Sequence, residues 1–185
     1  MTENKVLRCG WLTEDPLYIN YALFEMLCLE GQQAGLSWLT ILKKRENYRK
    51  IFHNFNPRKV SKLTEKDVNN CLKDSGIVRH RGKVEAIINN SKCYIKMENE
   101  GEDFTNFIWS FVNHKPIVNS WNHYKEIPPE TSTSIALSKA LKKRGFKYVV
   151  SKICYAFMQA CGLVNDHINT CPSLLTKTKL SQSTK

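Results

Sequence analysis

The chain contains no apolar run long enough to cross a membrane, and no secretory leader precedes its seven cysteines. An odd number of cysteines does not fit a closed disulfide framework, and Cys28, Cys154 and Cys161 lie on apolar helical faces. These absences predict a protein with no membrane partner that stays in the reducing cytoplasm without structural disulfides.

Acidic residues are also scarce, because 17 Asp and Glu stand against 28 Lys and Arg, which leaves a formal charge of +11. Such an excess favours a polyanionic partner, since cationic surfaces bind phosphates by releasing counterions. Charge alone does not identify that partner as nucleic acid. The 42% of hydrophobic residues supports a compact interior and excludes a chain that is disordered throughout.

Strand-like alternation and internal repeats are missing as well. Apolar residues instead recur at helical intervals in seven segments, near residues 23–31, 37–53, 64–73, 81–97, 104–112, 134–145 and 151–163. We therefore expect an all-α protein with a long loop at 113–133. The length suits a single domain over residues 1–172, or two lobes sharing one core, followed by a basic disordered tail at 173–185.

The most informative segment runs from Leu29 to Trp38 and sets one carboxylate, Glu30, among glycines, two amides and an aromatic residue. Apolar helical runs flank the segment, so Glu30 falls near a helix end and is followed by Gly31 and Gly35. This arrangement favours a carboxylate that is aimed into a pocket. The alternative is a solvated glutamate beside a turn, since acidic residues are rarely buried.

Several blocks of the sequence, in one order, resemble the bacterial type I 3-methyladenine DNA glycosylases, which are relatives of the helix-hairpin-helix repair glycosylases. The resemblance covers nearly the whole chain and rests on residues 8–11 (RCGW), 15–18 (DPLY), 30–48, 76–83 (GIVRHRGK), 109–113 (WSFVN) and 157–167 (FMQACGLVNDH). It implies a compact helical fold and a monomeric bacterial cytoplasmic enzyme. Such an enzyme flips 3-methyladenine out of double-stranded alkylated DNA and hydrolyses its glycosidic bond without a covalent intermediate.

The resemblance assigns the base pocket to four residues. Glu30 would accept a hydrogen bond from the methylated base and complement its positive charge, while the aromatic residues Tyr18, Tyr21 and Trp38 would stack on it. Because methylation at N3 already makes the base a good leaving group, little acid catalysis is required. The alternative for the three aromatic residues is core packing.

The residues that follow Glu30 are expected to contact DNA. The resemblance implies that Leu36, beside Gln33 and Gly35, wedges into the gap left by the extruded nucleotide. The alternative for Leu36 is an ordinary place in the core. A basic turn with Arg79, Arg81 and Lys83 enters a helix further along the chain and is a candidate phosphate contact.

A second basic turn resembles the position of the family hairpin, with Lys147, Ser151 and Lys152 as candidate DNA contacts. Val150 replaces the hairpin glycine, and Ser151 is expected to cap the following helix. Lys152 falls where bifunctional relatives carry a Schiff-base lysine. No acidic residue has the spacing of their partner aspartate, so we favour a phosphate contact over lyase activity, with a merely solvated lysine as the alternative.

His167 and Cys171 have metal-ligand spacing, and the resemblance adds Cys9 as a third ligand of a structural zinc that would join the two ends of the chain. The family takes its fourth ligand from a histidine soon after Tyr21, in a segment that this chain lacks. Zinc is therefore an expectation with an incomplete ligand set.

Water, His123 or Asp166 could supply the fourth zinc ligand in place of the missing histidine, and nothing in the spacing favours one of the three.

The missing segment also bears on function. The loss also removes a wall of the base pocket, so a second hypothesis is a DNA-binding relative whose catalysis is impaired. A third hypothesis is a helical interaction module without DNA affinity.

Overall fold

The computed structural model describes residues 20–171, and this region is almost entirely helical. Its helices are α1 at Asn20–Gln33, α2 at Trp38–Ile51, α3 at Pro57–Val60, α4 at Glu65–Cys71, α5 at Arg81–Asn99, α6 at Phe104–Ser110, α7 at Ser132–Lys143 and α8 at Ser151–Ala160. The expected all-α class is confirmed. Within this region every helix is too short or too polar to serve as a membrane span. The expected basic tail and the joined chain ends lie outside the described residues.

Helix α1 runs through the centre of the molecule. Ten consecutive residues of α1, from Leu23 to Gln32, are buried. A helix that is buried on every side must be covered by several neighbours, and α1 packs against α2, α5, α6 and α8. Polar residues on α1 are therefore withdrawn from water whether or not they have partners.

Helices α7 and α8 pack against each other and are joined by a turn at residues 144–150, which we call the hairpin. The hydroxyl of Ser138 donates to the carbonyl of Val149 across the pair, at 2.6 Å. Helix α8 also packs against α1. This packing brings the hairpin to the C-terminal end of the central helix.

The expected long loop is tied to the core by a short parallel pairing of Ile117–Val118 with Val164–Asn165. Two-residue strands are too short to show alternation, so the sequence gives no sign of them. The buried carboxylate of Asp166 holds the same region together. It accepts four hydrogen bonds of 2.6–2.7 Å, from Asn119, Trp121, Tyr155 and Gln159. The carboxylate of Asp166 thus has a structural role, and its hydrogen-bonding capacity is taken up by these four donors.

Candidate active site

Glu30 lies in the last turn of α1 and is only 4% exposed. Among the described residues no hydrogen bond or ion pair reaches its carboxyl group, and burial alone raises its pKa to about 8. Isolated buried carboxyl groups are costly, so proteins keep few of them outside functional sites. The solvated alternative for Glu30 is therefore excluded.

Glu25, on the same helix, is a buried carboxylate with a structural role. Its oxygens accept from the guanidinium groups of Arg45, at 2.7 Å, and Arg49, at 2.9 Å. Both arginines come from α2, one turn apart. Two carboxylates on one buried helix thus have opposite surroundings, and only Glu30 is left with capacity to bind something else.

The hairpin and the C-terminal end of α8 lie close to Glu30. A methyl group added to Gly31 would lie 3.1 Å from Cβ of Tyr148 and 3.3 Å from its carbonyl oxygen. Glycine at this position therefore allows the hairpin to approach the helix closely. Burial and the nearby Glu30 both raise the pKa of Cys161, which ends α8. The surroundings of Glu30 thus combine α1, α8 and the hairpin.

The three aromatic residues predicted for the base pocket differ in where the structure places them. Trp38 begins α2 and is 3% exposed, which suits a pocket wall or a core position, and Tyr18 lies outside the described residues. The position of Tyr21 contradicts its predicted role in the base pocket. It sits in the first turn of α1, and the nine residues that separate it from Glu30 correspond to about 13 Å of helix. Its ring contacts Tyr94 instead, because the chain passes from Tyr21 directly into α1.

Residues 34–37 form the α1–α2 loop, which projects its apolar member outward. Leu36 is 41% exposed, so the alternative of a core leucine is excluded. Gly35 has a φ of +76°, a conformation that side chains other than glycine rarely adopt. The loop ends at Ser37, whose hydroxyl accepts from the N–H of Thr40 and caps α2. Gln33 is half-buried beside this loop.

The basic turn before α5 divides into outward and inward residues. Arg79 is exposed, and Arg81 is exposed but bonded to Glu65. Lys83 contradicts the expectation of a phosphate contact, because it is 6% exposed and its ammonium group donates to the carbonyls of Gln32 and Ala34. The helical turn rotates Lys83 to the opposite face from the residues that precede it.

The hairpin presents exposed Lys147 and Lys152. Ser151 does not cap α8, since the N-cap is Val150 and the Ser151 hydroxyl donates to the carboxylate of Glu130. The first N–H groups of α8 consequently have no side-chain acceptor and are available to a phosphate oxygen. Exposure of Lys152 also argues against a Schiff base, because that role requires a desolvated amine.

The candidate metal ligands come together in part. Nδ1 of His167 lies 3.1 Å from Sγ of Cys171, and both side chains are buried. Cys9 lies outside the described residues. Residues 20–171 contain no group of three histidine, cysteine or acidic side chains that could hold an ion. Of the alternative fourth ligands, Asp166 is occupied by its four donors and the exposed His123 accepts from the N–H of Lys125.

Three features of this region were not visible in the sequence. They are the Glu25 ion pairs, the Asp166 cluster and the inward Lys83. Each joins residues at least 7 positions apart, and most of their partners are much farther apart than that. Local spacing carries no signal for such contacts.

The chain is similar to proteins of one family along most of its length. The sequence model for methyladenine glycosylase matches residues 11–174. DNA-3-methyladenine glycosylase 1 of Escherichia coli K12 is 59% identical over 177 residues, which cover 89% of this chain and 95% of that protein. The DNA-3-methyladenine glycosylase of Haemophilus influenzae is 54% identical, over 89% of this chain and 96% of its own length.

Solved structures show the same likeness. The 3-methyladenine DNA glycosylase I of Staphylococcus aureus, solved to explain its recognition of 3-methyladenine, superposes with a TM-score of 0.87 at 40% identity. The match covers 94% of this chain and 93% of that one.

Proposed function

The chain belongs to the methyladenine glycosylase family and is a DNA repair glycosylase, and we propose that Glu30 is the residue through which it selects and removes 3-methyladenine. The observation that carries this proposal is the buried carboxyl group of Glu30, which has no partner in residues 20–171. A site that leaves such a group unpaired gains most from a cationic ligand with hydrogen-bond donors. The base of an N3-methylated deoxyadenosine is such a ligand.

The chemistry required of the protein is modest. In the free enzyme at neutral pH, Glu30 is mainly protonated, because burial raises its pKa to about 8. Entry of the cationic base favours the ionised form, so the carboxyl proton is released to water as the base binds. The glycosidic bond then breaks with its electron pair moving to the base, which leaves as neutral 3-methyladenine. Water adds to the sugar cation and loses a proton, and no covalent enzyme intermediate forms.

DNA would be held on the face that carries the hairpin and the start of α5. Exposed Lys147, Lys152 and Arg79, with the open N–H groups of α8, supply phosphate contacts. Leu36 would enter the double helix where the damaged nucleotide leaves it. We infer that the protein acts on double-stranded DNA as a monomer in the cytoplasm.

A structural zinc fits the residues at the end of the described region. His167 and Cys171 lie close enough for both to bind one ion after a small outward shift of the two side chains, and Cys9 would be the third ligand. Zinc at this position would hold the ends of the chain together and would not take part in base removal.

The impaired DNA-binding relative is the second candidate, and the position of Tyr21 favours it. With Tyr21 drawn into α1, no aromatic side chain from that helix covers the base. This candidate predicts DNA binding without base release.

Release of free 3-methyladenine from methylated DNA separates the two. We expect release above a heat-treated blank, loss of that release in Glu30→Gln, and no loss in Glu100→Gln, which alters an exposed glutamate. The blank is needed because this base also leaves DNA spontaneously. Intact DNA binding without release would support the impaired relative.

A further inference from the structure

Lys83 combines burial with an unusual set of partners. Its ammonium group donates to the carbonyl oxygens of Gln32 and Ala34, each at 2.7 Å. These carbonyls belong to the C-terminal end of α1, where the helix itself supplies no donors. A cation is also favoured there by the negative end of the helix dipole. Lys83 therefore fastens α5 to the end of α1 and to the first residue of the α1–α2 loop.

The attachment is reciprocal. The side-chain amide of Gln32 donates to the carbonyl of Lys83 at 3.0 Å and accepts from the hydroxyl of Tyr48 at 3.2 Å. That hydroxyl accepts in turn from the N–H of Val78, at 3.0 Å. Gln32, Tyr48 and Lys83, which we call the Lys83 cluster, thus connect α1, α2 and the turn before α5. Every side chain in the cluster is buried.

No carboxylate balances the charge of Lys83 within residues 20–171, and burial lowers its pKa. Ammonium groups are almost never buried without an ionic partner, since carbonyl dipoles compensate only part of the lost hydration. An apolar side chain would fill the space at lower cost. The ammonium group instead fixes the direction of the carbonyl groups of Gln32 and Ala34. Ala34 lies two residues before Leu36.

Resting on the proposed function, we propose that Lys83 is a positioning residue that holds the α1–α2 loop in the conformation from which Leu36 enters the DNA. Lys83 does not touch the base. It acts through Ala34, and the short loop passes its position on to Leu36. Gly35, between Ala34 and Leu36, has a positive φ and no side chain that could anchor the loop.

The test uses the full chain with Lys83→Met, which keeps the length of the side chain and removes the charge and the donors. A duplex with a tetrahydrofuran abasic analogue opposite 2-aminopurine reports insertion into the gap, because unstacking raises the fluorescence of 2-aminopurine. Leu36→Ala is the matched control that removes the wedge itself. Urea unfolding gives the folded fraction, and all responses are expressed per folded molecule.

We expect Lys83→Met to lose the fluorescence rise, as Leu36→Ala does, while free 3-methyladenine still binds. Single-turnover excision should fall by about 10–100-fold, the range expected when a functional group is misplaced by about 1 Å. The double variant should be no worse than the worse single variant, because both changes act on one step. If Lys83→Met does not fold, Lys83→Gln, which retains one short donor, decides the question by the same measurements.

A full fluorescence rise in a folded but less stable Lys83 variant would overturn the proposal, and so would additive losses in the double variant. Failure of the proposed function has a different signature. In that case the wild-type protein releases no 3-methyladenine, whereas insertion at the abasic analogue is still measurable.

Discussion

Glu30 should make the protein less stable as the pH rises. Burial raises its pKa from an ordinary value near 4.5 to about 8. Between these pH values the folded protein holds a proton that the unfolded chain has released, so increasing pH favours unfolding. This contribution to stability is fully present below pH 4.5 and is lost as the pH passes through 8.

Glu30→Gln removes this dependence, because the amide has nearly the shape of the protonated acid and does not ionise. Relative to this variant, the wild-type free energy of unfolding should fall by about 1.4 kcal/mol per pH unit within the window. The variant should therefore match the wild type below pH 4.5 and be more stable by about 3 kcal/mol at pH 7. It should also be inactive, since the proposed function depends on the same carboxyl group.

Urea titrations of both proteins from pH 5 to pH 8 measure this difference directly. Comparison with Glu30→Gln cancels the titration of all other groups. Glu100→Gln is the control, because Glu100 is exposed and its loss should leave the pH profile parallel to that of the wild type. If the difference between the wild type and Glu30→Gln stays constant with pH, Glu30 is ionised in the folded protein and the argument fails.

Three further predictions concern the hairpin and the chain ends. Gly31→Ala should not gain the roughly 1 kcal/mol that alanine normally adds in a helix interior, because its methyl group would lie 3.1 Å from Cβ and 3.3 Å from the carbonyl oxygen of Tyr148; a variant that is more stable by this full amount in urea unfolding would refute the crowding. Lys147→Ala should weaken DNA binding and reduce the slope of log K against log salt by about 0.9, the loss of one phosphate contact. Titrations at several salt concentrations would show an unchanged slope if Lys147 is only solvated. Purified protein should contain zinc, and His167→Ala should lose that zinc and unfold at a lower urea concentration. Metal-free wild-type protein of equal stability would contradict the zinc site.

Much of the active site follows from short segments of sequence. The stretch from Leu29 to Trp38 places Glu30 at a helix end, and the glycine at position 35 gives the turn that exposes Leu36. These are local properties, because helical periodicity and positive φ depend on neighbouring residues. The same reasoning predicts helices throughout, and the all-α class is confirmed.

The sequence misleads where a side chain could face either way. Lys83 follows two arginines in a basic turn, and its composition favours a phosphate contact. The helix turns it inward, where carbonyls some 50 residues earlier in the chain receive its protons. Tyr21 fails for a related reason, because α1 begins before it and carries its ring away from Glu30.

By itself, then, the sequence determined the helical class, the family and the carboxylate that we propose for recognition, since these reside in local patterns and contiguous motifs. Only the tertiary structure decided which charges are compensated. Glu25 and Glu30 lie on one buried helix, yet two arginines of α2 neutralise the first and no described residue reaches the second. The cost of a buried charge depends on partners that the fold brings from distant parts of the chain, and that information is absent from any short stretch of sequence.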